Sequence, residues 1–165
     1  MMVGMTTWND VHQAAPDLAD LVRGRFEATG LGYLATLRRD GSPRVSGIEP
    51  LFADGMVWLG MMPQSRKALD LRHDPRLCLH AANIDKNIGD GDARISGVAF
   101  EHESEADLDR ARAAFEAATG SPPPSGPMHL FSIDVTEAMF LGVGDDRLVI
   151  RTWTPAVGER HIERA

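Results

Sequence analysis

The chain has 165 residues, of which 43% are hydrophobic and 25% are charged, and this composition excludes a disordered chain or a fibrous repeat. One domain is predicted over residues 1–165, because this length suits a single hydrophobic core. The net charge is -7 and the Lys and Arg residues are dispersed, so nucleic acid is not expected as the main partner.

Two features of the sequence bear on its location. Residues 1–10 lack the charged and apolar regions of a signal peptide, and no apolar run approaches the ~20 residues of a membrane span. The only cysteine, Cys78, cannot form an internal disulfide, and its apolar neighbours Leu77 and Leu79 predict a buried thiol. We therefore expect a cytoplasmic protein with no membrane partner.

The first half of the chain predicts one helix followed by strands. Residues 16–28 have apolar side chains at helical spacing (Leu18, Leu21, Val22 and Phe26), with Pro16 suited to the first turn and Gly30 to a stop. Runs over residues 31–37, 44–52 and 56–61 are rich in β-forming residues and are separated by Asp-Gly pairs. These runs predict a three-stranded antiparallel meander.

The second half predicts four more strands and a long helix. Runs over residues 76–81 and 94–100 flank a polar loop, and runs over 130–141 and 148–153 flank a turn. Ser104 and Asp107 resemble a capping box that starts a helix ending near Gly120, before a Pro-rich rigid turn at residues 122–124. Because no βαβ alternation is present, the predicted fold is mainly β (α+β), a six- to seven-stranded antiparallel barrel with flanking helices.

A short basic helix after the third run is the most informative segment. Pro63 and Asp74-Pro75 bound it, and Ser65 is a suitable N-cap residue. Arg66 and Lys67 then lie in the first turn, where the positive end of the helix dipole disfavours cations unless an anion binds there. A phosphate would be such an anion. A capped surface helix with solvated cations is the alternative, and the segment alone leaves both interpretations open.

Other patterns in the chain do not predict a site. The Gly30, Gly32 and Ala35 pattern precedes a strand, so it lacks the helix that a dinucleotide fingerprint requires. The acidic loop over residues 85–96 has Gly89 and Ser96 where calcium ligands should be. The six histidines have no metal-ligand spacing, and no nucleophile motif is present, so neither a metal nor a catalytic residue is predicted.

The order of elements and the Ser65-Arg66-Lys67-Ala68 segment resemble the pyridoxamine 5'-phosphate oxidase-like family of FMN-binding split barrels. The resemblance covers about residues 31–153, and the helix match continues through Asp74-Pro75-Arg76. It implies that the helix start binds the flavin phosphate and that the flavin lies at a homodimer interface. The cofactor-binding residues that it implies are Arg44, Val45, Gly60, Met61, Ser65, Arg66, Lys67 and Arg147.

Departures from the authentic oxidase change the predicted activity. That enzyme has a substrate-phosphate Lys where this chain has Glu49, and an Arg-x-His where it has Val143-Gly144-Asp145. The ending from Trp153 onward resembles the flavin and deazaflavin reductase branches instead. We therefore predict an FMN-dependent oxidoreductase that transfers hydride to or from a small molecule other than pyridoxamine phosphate. A deazaflavin-dependent reductase and a non-catalytic module that carries flavin or haem are the alternatives.

Overall fold

The computed structural model describes residues 4–123 and 125–164, so Pro124 of the predicted Pro-rich turn lies outside the described residues. Within them the chain forms four helices and nine strands. In chain order these are α1 (Trp8–Ala14), α2 (Pro16–Glu27), β1 (Gly32–Leu37), β2 (Pro43–Ile48), β3 (Pro50–Ala53), β4 (Met56–Met61), α3 (Arg66–His73), β5 (Arg76–Ala81), β6 (Asp92–His102), α4 (Glu105–Thr119), β7 (His129–Gly144), β8 (Arg147–Thr154) and β9 (Gly158–Arg164).

The strands form one antiparallel sheet in the order β2-β1-β5-β6-β7-β4-β3, and a ribbon of β8 and β9 extends from β7. Strands β2 and β3 are at opposite ends of this order, yet the single residue Glu49 joins them in the chain. The sheet must therefore curl until its two ends meet. The predicted fold class, a mainly β split barrel with flanking helices, is confirmed, with nine strands in the described residues in place of the predicted six to seven.

The predicted three-stranded meander is wrong. Residues 44–52 form two strands, because Pro50 has no N–H for a ladder and restricts the backbone of Glu49 before it. Strand β1 pairs with β2 and β5, whereas β3 pairs with β4. Residues 44–52 therefore belong to two separate hairpins at the two ends of the sheet.

The core lies between the curled sheet and the first two helices. Leu18, Val22 and Phe26 of α2 are at most 1% exposed, whereas Leu21, predicted for the same stripe, is 38% exposed. Helix α1 was not predicted because it has only seven residues, although Thr7 and Asp10 form a capping box at its start. Strand β9 was not predicted either, since its side chains are almost all polar.

Helix α4 follows its predicted boundaries. Its N-cap Ser104 accepts a hydrogen bond from the Asp107 N–H at 3.2 Å, and Gly120 ends it with φ 71°. In the part of the chain that the structure describes, no helix is long and apolar enough to cross a membrane. Cys78 is only half-buried, on the outer side of β5, and burial still raises the pKa of its thiol. The predicted buried thiol is therefore corrected to a partly exposed one.

Candidate cofactor site

A tight turn precedes α3 and ends at a serine with a free hydroxyl. The Ser65 N–H donates to the Met62 carbonyl at 3.2 Å, and Gln64 between them has φ 58°. Ser65 is the N-cap residue, and its carbonyl accepts from the Leu69 N–H at 3.1 Å. Its Oγ caps nothing: the atom is buried and has no hydrogen-bond partner among the described residues.

An unpartnered buried hydroxyl costs about 1–3 kcal/mol unless a ligand satisfies it. This one lies at the N-terminus of an eight-residue helix, where free backbone N–H groups favour an anion. Ser65 therefore fits an oxygen-rich anion such as a phosphate.

Arg44 reaches α3 from the neighbouring strand β2. Its Nε donates to Oδ2 of Asp70 at 2.6 Å, and the Thr36 hydroxyl donates to the same oxygen at 2.9 Å. Burial opposes ionisation of Asp70, but these two hydrogen bonds outweigh it and hold the pKa of the carboxyl below its usual value. Because Arg44 uses Nε for this bond, its Nη1 and Nη2 groups remain for a second acceptor.

Lys67 forms the second link between α3 and β2. Its Nζ donates to the Gly47 carbonyl at 2.6 Å. Burial lowers the pKa of Lys67, and the nearby Glu49 carboxylate partly opposes this shift. Like the Glu49 carboxylate, a bound anion would favour the charged form of Lys67, so the arrangement suits a negatively charged ligand.

Arg66 completes the group of cations. Its side chain is exposed and has neither a hydrogen bond nor an ion pair with any residue in the described ranges. Three cations, Arg44, Arg66 and Lys67, thus lie on β2 and the first turn of α3. Among them only Arg44 is paired with a carboxylate.

The residues predicted beside the flavin ring differ from one another in exposure. Val45, next to Arg44 on β2, is 68% exposed. Gly60 on β4 is also exposed, and a Cβ there would meet Met128 Cε at 2.9 Å. Met61 is only 3% exposed, and its side chain packs in the main core.

Arg147 is not brought together with the other predicted residues. It starts β8 opposite Gly144, the last residue of β7, and its nearest carboxylate is Glu163 at 3.5 Å. The α3 turn lies at the other end of β7, where His129 is opposite Met61. The 16 residues of β7 therefore separate Arg147 from Ser65 within one chain.

Sequence reasoning missed the residues that hold the site in place. Asp70 positions Arg44 and itself accepts a hydrogen bond from Thr36, while His129 accepts one from the Gln64 N–H at 3.2 Å. These pairs are 26, 34 and 65 residues apart in the sequence. No local spacing could have indicated them.

Two grooves lie away from α3. One of about 510 Å³ is lined by α4 alanines with Ala53, Asp54 and Arg110. Another of about 550 Å³ lies along α2 beside Asp90 and Phe140. Neither includes a predicted cofactor residue.

Comparison with solved structures shows similar folds. An FMN-binding protein related to pyridoxamine 5'-phosphate oxidase from Nostoc punctiforme is 16% identical with a TM-score of 0.61, covering 93% of this chain and 96% of that one. PhzG from Burkholderia lata, solved with tetrahydrophenazine-1-carboxylic acid, is 16% identical with a TM-score of 0.64, covering 95% of each chain. A haem-binding protein from Mycobacterium smegmatis is 18% identical with a TM-score of 0.56, covering 87% and 86%.

These identities are low enough that the structures establish the fold alone. No curated protein sequence matches the chain. The sequence model of the pyridoxamine 5'-phosphate oxidase family, however, matches residues 18–142, which is most of the chain and includes β2 and α3. The chain therefore belongs to the pyridoxamine 5'-phosphate oxidase family.

Proposed function

We propose that this protein binds FMN with the phosphate at the start of α3 and acts as an oxidoreductase on a small organic molecule. The observation that carries the proposal is the buried, unpartnered Ser65 hydroxyl at a helix N-terminus beside the cations Arg66 and Lys67. Family membership and the similar FMN-binding fold from Nostoc punctiforme support FMN as the source of the phosphate.

Each residue of the site has a distinct role in holding the phosphate. The Ser65 hydroxyl and the free N–H groups of α3 would donate to its oxygens, while Arg44 supplies a planar fork and Lys67 a point charge. Asp70 keeps the Arg44 guanidinium against α3 through the 2.6 Å bond to Nε. Charge-assisted hydrogen bonds of this kind are worth about 1.5–3 kcal/mol each.

Bound FMN would supply hydride transfer, which no side chain of this protein can provide. The protein's contribution is to orient the cofactor and to shape the surface over its ring. No side chain is assigned as a general acid or base.

We further propose that the functional unit is a cytoplasmic homodimer with the cofactor in the groove between its subunits. Tyr33 on β1 and Val45 on β2 are 49% and 68% exposed, and they lie on the same outer side of the sheet. Two large apolar side chains exposed on one side of the sheet would suit a protein interface. A second copy could also supply Arg147, which is too far from Ser65 along its own chain.

Oxidation of pyridoxamine phosphate is not the proposed activity. Glu49, between β2 and β3, is close enough to Lys67 to affect its pKa. By the family resemblance, Glu49 stands where the oxidase has a substrate-phosphate Lys. A phosphorylated substrate would be repelled there.

Two other cofactors are alternatives. A deazaflavin cofactor also carries a phosphate, so the same helix start would suit it. Haem is supported by the fold of the haem-binding protein from Mycobacterium smegmatis, and a haem module need not be catalytic. Mass spectrometry of the small molecule released on denaturation separates the three: FMN is expected, while haem or a deazaflavin would overturn the FMN assignment.

A further inference from the structure

His129 lies directly beside the turn that precedes α3. It is the first residue of β7 and is opposite Met61, the last residue of β4, which leads into that turn. Its side chain is mostly buried, with 8% of the residue exposed. His129 is absent from the predicted site, and the proposed binding of FMN does not use it.

Both ring nitrogens of His129 are hydrogen-bonded. Nε2 is 3.2 Å from the Gln64 backbone nitrogen, and Nδ1 is 3.0 Å from Oε1 of Glu101. A backbone N–H can only donate, so Nε2 must accept. The network therefore assigns a neutral ring with its proton on Nδ1, donated to Glu101.

The network continues from Glu101 to the far end of α3. Arg72 in the last turn donates to both Glu101 oxygens, from Nε at 2.7 Å and from Nη2 at 2.8 Å, and Glu103 lies 3.3 Å from the same Nη2. Among the described residues, the charged group that faces His129 directly is Glu101 from β6. Arg72 from α3 lies behind Glu101, and Glu103 is the second partner of Arg72. The two ends of α3 are tied together through His129 and Glu101.

The hydrogen bond from the Gln64 N–H to His129 lies in the turn that orients Ser65. Gln64 has φ 58°, a left-handed conformation that is unfavourable for a residue with a Cβ. The same turn orients Ser65, whose hydroxyl is the buried donor of the site. Protonation of Nε2 would place an N–H against the Gln64 N–H, and two donors at this distance cannot bond.

We propose that His129 is a positioning residue for the phosphate turn: by accepting the Gln64 N–H it holds the left-handed Gln64 backbone and so keeps Ser65 in place for the cofactor phosphate. This inference rests on the proposed binding of FMN at α3.

The test compares FMN binding by calorimetry for the native protein, His129→Gln and His129→Leu. His129→Gln keeps an acceptor near the position of Nε2, whereas His129→Leu removes it. The matched control is His12→Leu, which removes the half-exposed histidine of α1 that contacts Asp20.

His129→Leu should bind FMN about tenfold more weakly than the native protein, the value of one hydrogen bond, and His129→Gln should restore most of that loss. The His12→Leu variant should bind FMN like the native protein. Equal FMN affinities of the native protein and His129→Leu, or a loss of the same size in His129→Gln, would overturn the proposal.

A measurement without FMN separates this inference from the proposed function. Nitrogen NMR of the ligand-free native protein should show the His129 ring proton on Nδ1 and a scalar coupling from the Gln64 N–H to His129 Nε2 across the hydrogen bond. An Nε2-protonated ring, or a Gln64 amide without that coupling, would overturn it. If the native protein fails to bind FMN while the NMR result holds, only the cofactor assignment is wrong.

Discussion

The Asp70 carboxylate accepts the Nε–H of Arg44 at 2.6 Å, which ties the middle of α3 to β2. Asp70 is 8% exposed, and the Arg44 side chain is 23% exposed, so water screens this pair only weakly. The pair both stabilises the fold and aims the Arg44 guanidinium at the start of α3. Its two contributions can be separated by experiment.

Asp70→Asn should lower the free energy of unfolding by about 1–3 kcal/mol, because it leaves Arg44 without its charged partner. The folded pKa of Asp70 is below the ordinary value of 3.8. Its contribution is therefore present above pH 3.8 and is lost as the pH falls through the lower folded pKa. Urea unfolding as a function of pH should thus show that acidification lowers the free energy of unfolding less in Asp70→Asn than in the native protein.

The control for that measurement is Glu27→Gln, which breaks the exposed pair of Glu27 with Arg23 on α2. It should change the free energy of unfolding by less than about 0.5 kcal/mol. An Asp70→Asn variant as stable as this control at neutral pH would show that the Arg44 pair contributes nothing to folding.

Replacement of both Arg66 and Lys67 by Ala should weaken FMN binding by several kcal/mol, at about 1.5–3 kcal/mol for each charge-assisted bond. Calorimetric titration gives the affinity, and riboflavin, which lacks the phosphate, should bind native protein and variant equally weakly. A variant without Lys86 and Arg160, two exposed cations outside the site, should bind FMN normally. Unchanged FMN affinity in the Arg66 and Lys67 variant would exclude this phosphate site.

Val45→Asp should dissociate the proposed homodimer, because a charge would be buried in the proposed interface beside Tyr33. Light scattering should report twice the 18.0 kDa chain mass for the native protein and a single chain mass for the variant. Ile84→Asp is the matched control, since Ile84 is an exposed apolar residue that lies in a loop. A native protein that binds FMN as an 18.0 kDa monomer would contradict the dimer.

Activity toward pyridoxamine 5'-phosphate should be negligible in the FMN-loaded protein, because Glu49 repels the substrate phosphate. Each 1.36 kcal/mol added to the barrier lowers the rate about tenfold. Release of hydrogen peroxide in the presence of oxygen measures the reaction, and turnover of about 1 per second or faster would overturn the prediction. Glu49→Lys alone should not restore activity, since Val143 and Asp145 still replace the oxidase's Arg and His.

Local patterns in the sequence were enough to predict the elements that carry the site. Apolar alternation predicted most strands, and the Pro63 and Asp74-Pro75 boundaries predicted α3 with Arg66 and Lys67 in its first turn. Such predictions succeed because periodicity, caps and prolines act over a few neighbouring residues. The same reasoning failed where local signals were weak, at the seven-residue α1 and the polar β9.

Only the tertiary structure decided how these elements meet. The barrel closes because β2 and β3 end the sheet on either side of Glu49, and this closure brings β2 against α3. Arg44 is therefore hydrogen-bonded to Asp70, 26 residues away in the sequence, and Gln64 is hydrogen-bonded to His129, 65 residues away. Contacts between residues so far apart depend on strand order and chain curvature, which no spacing in the sequence encodes.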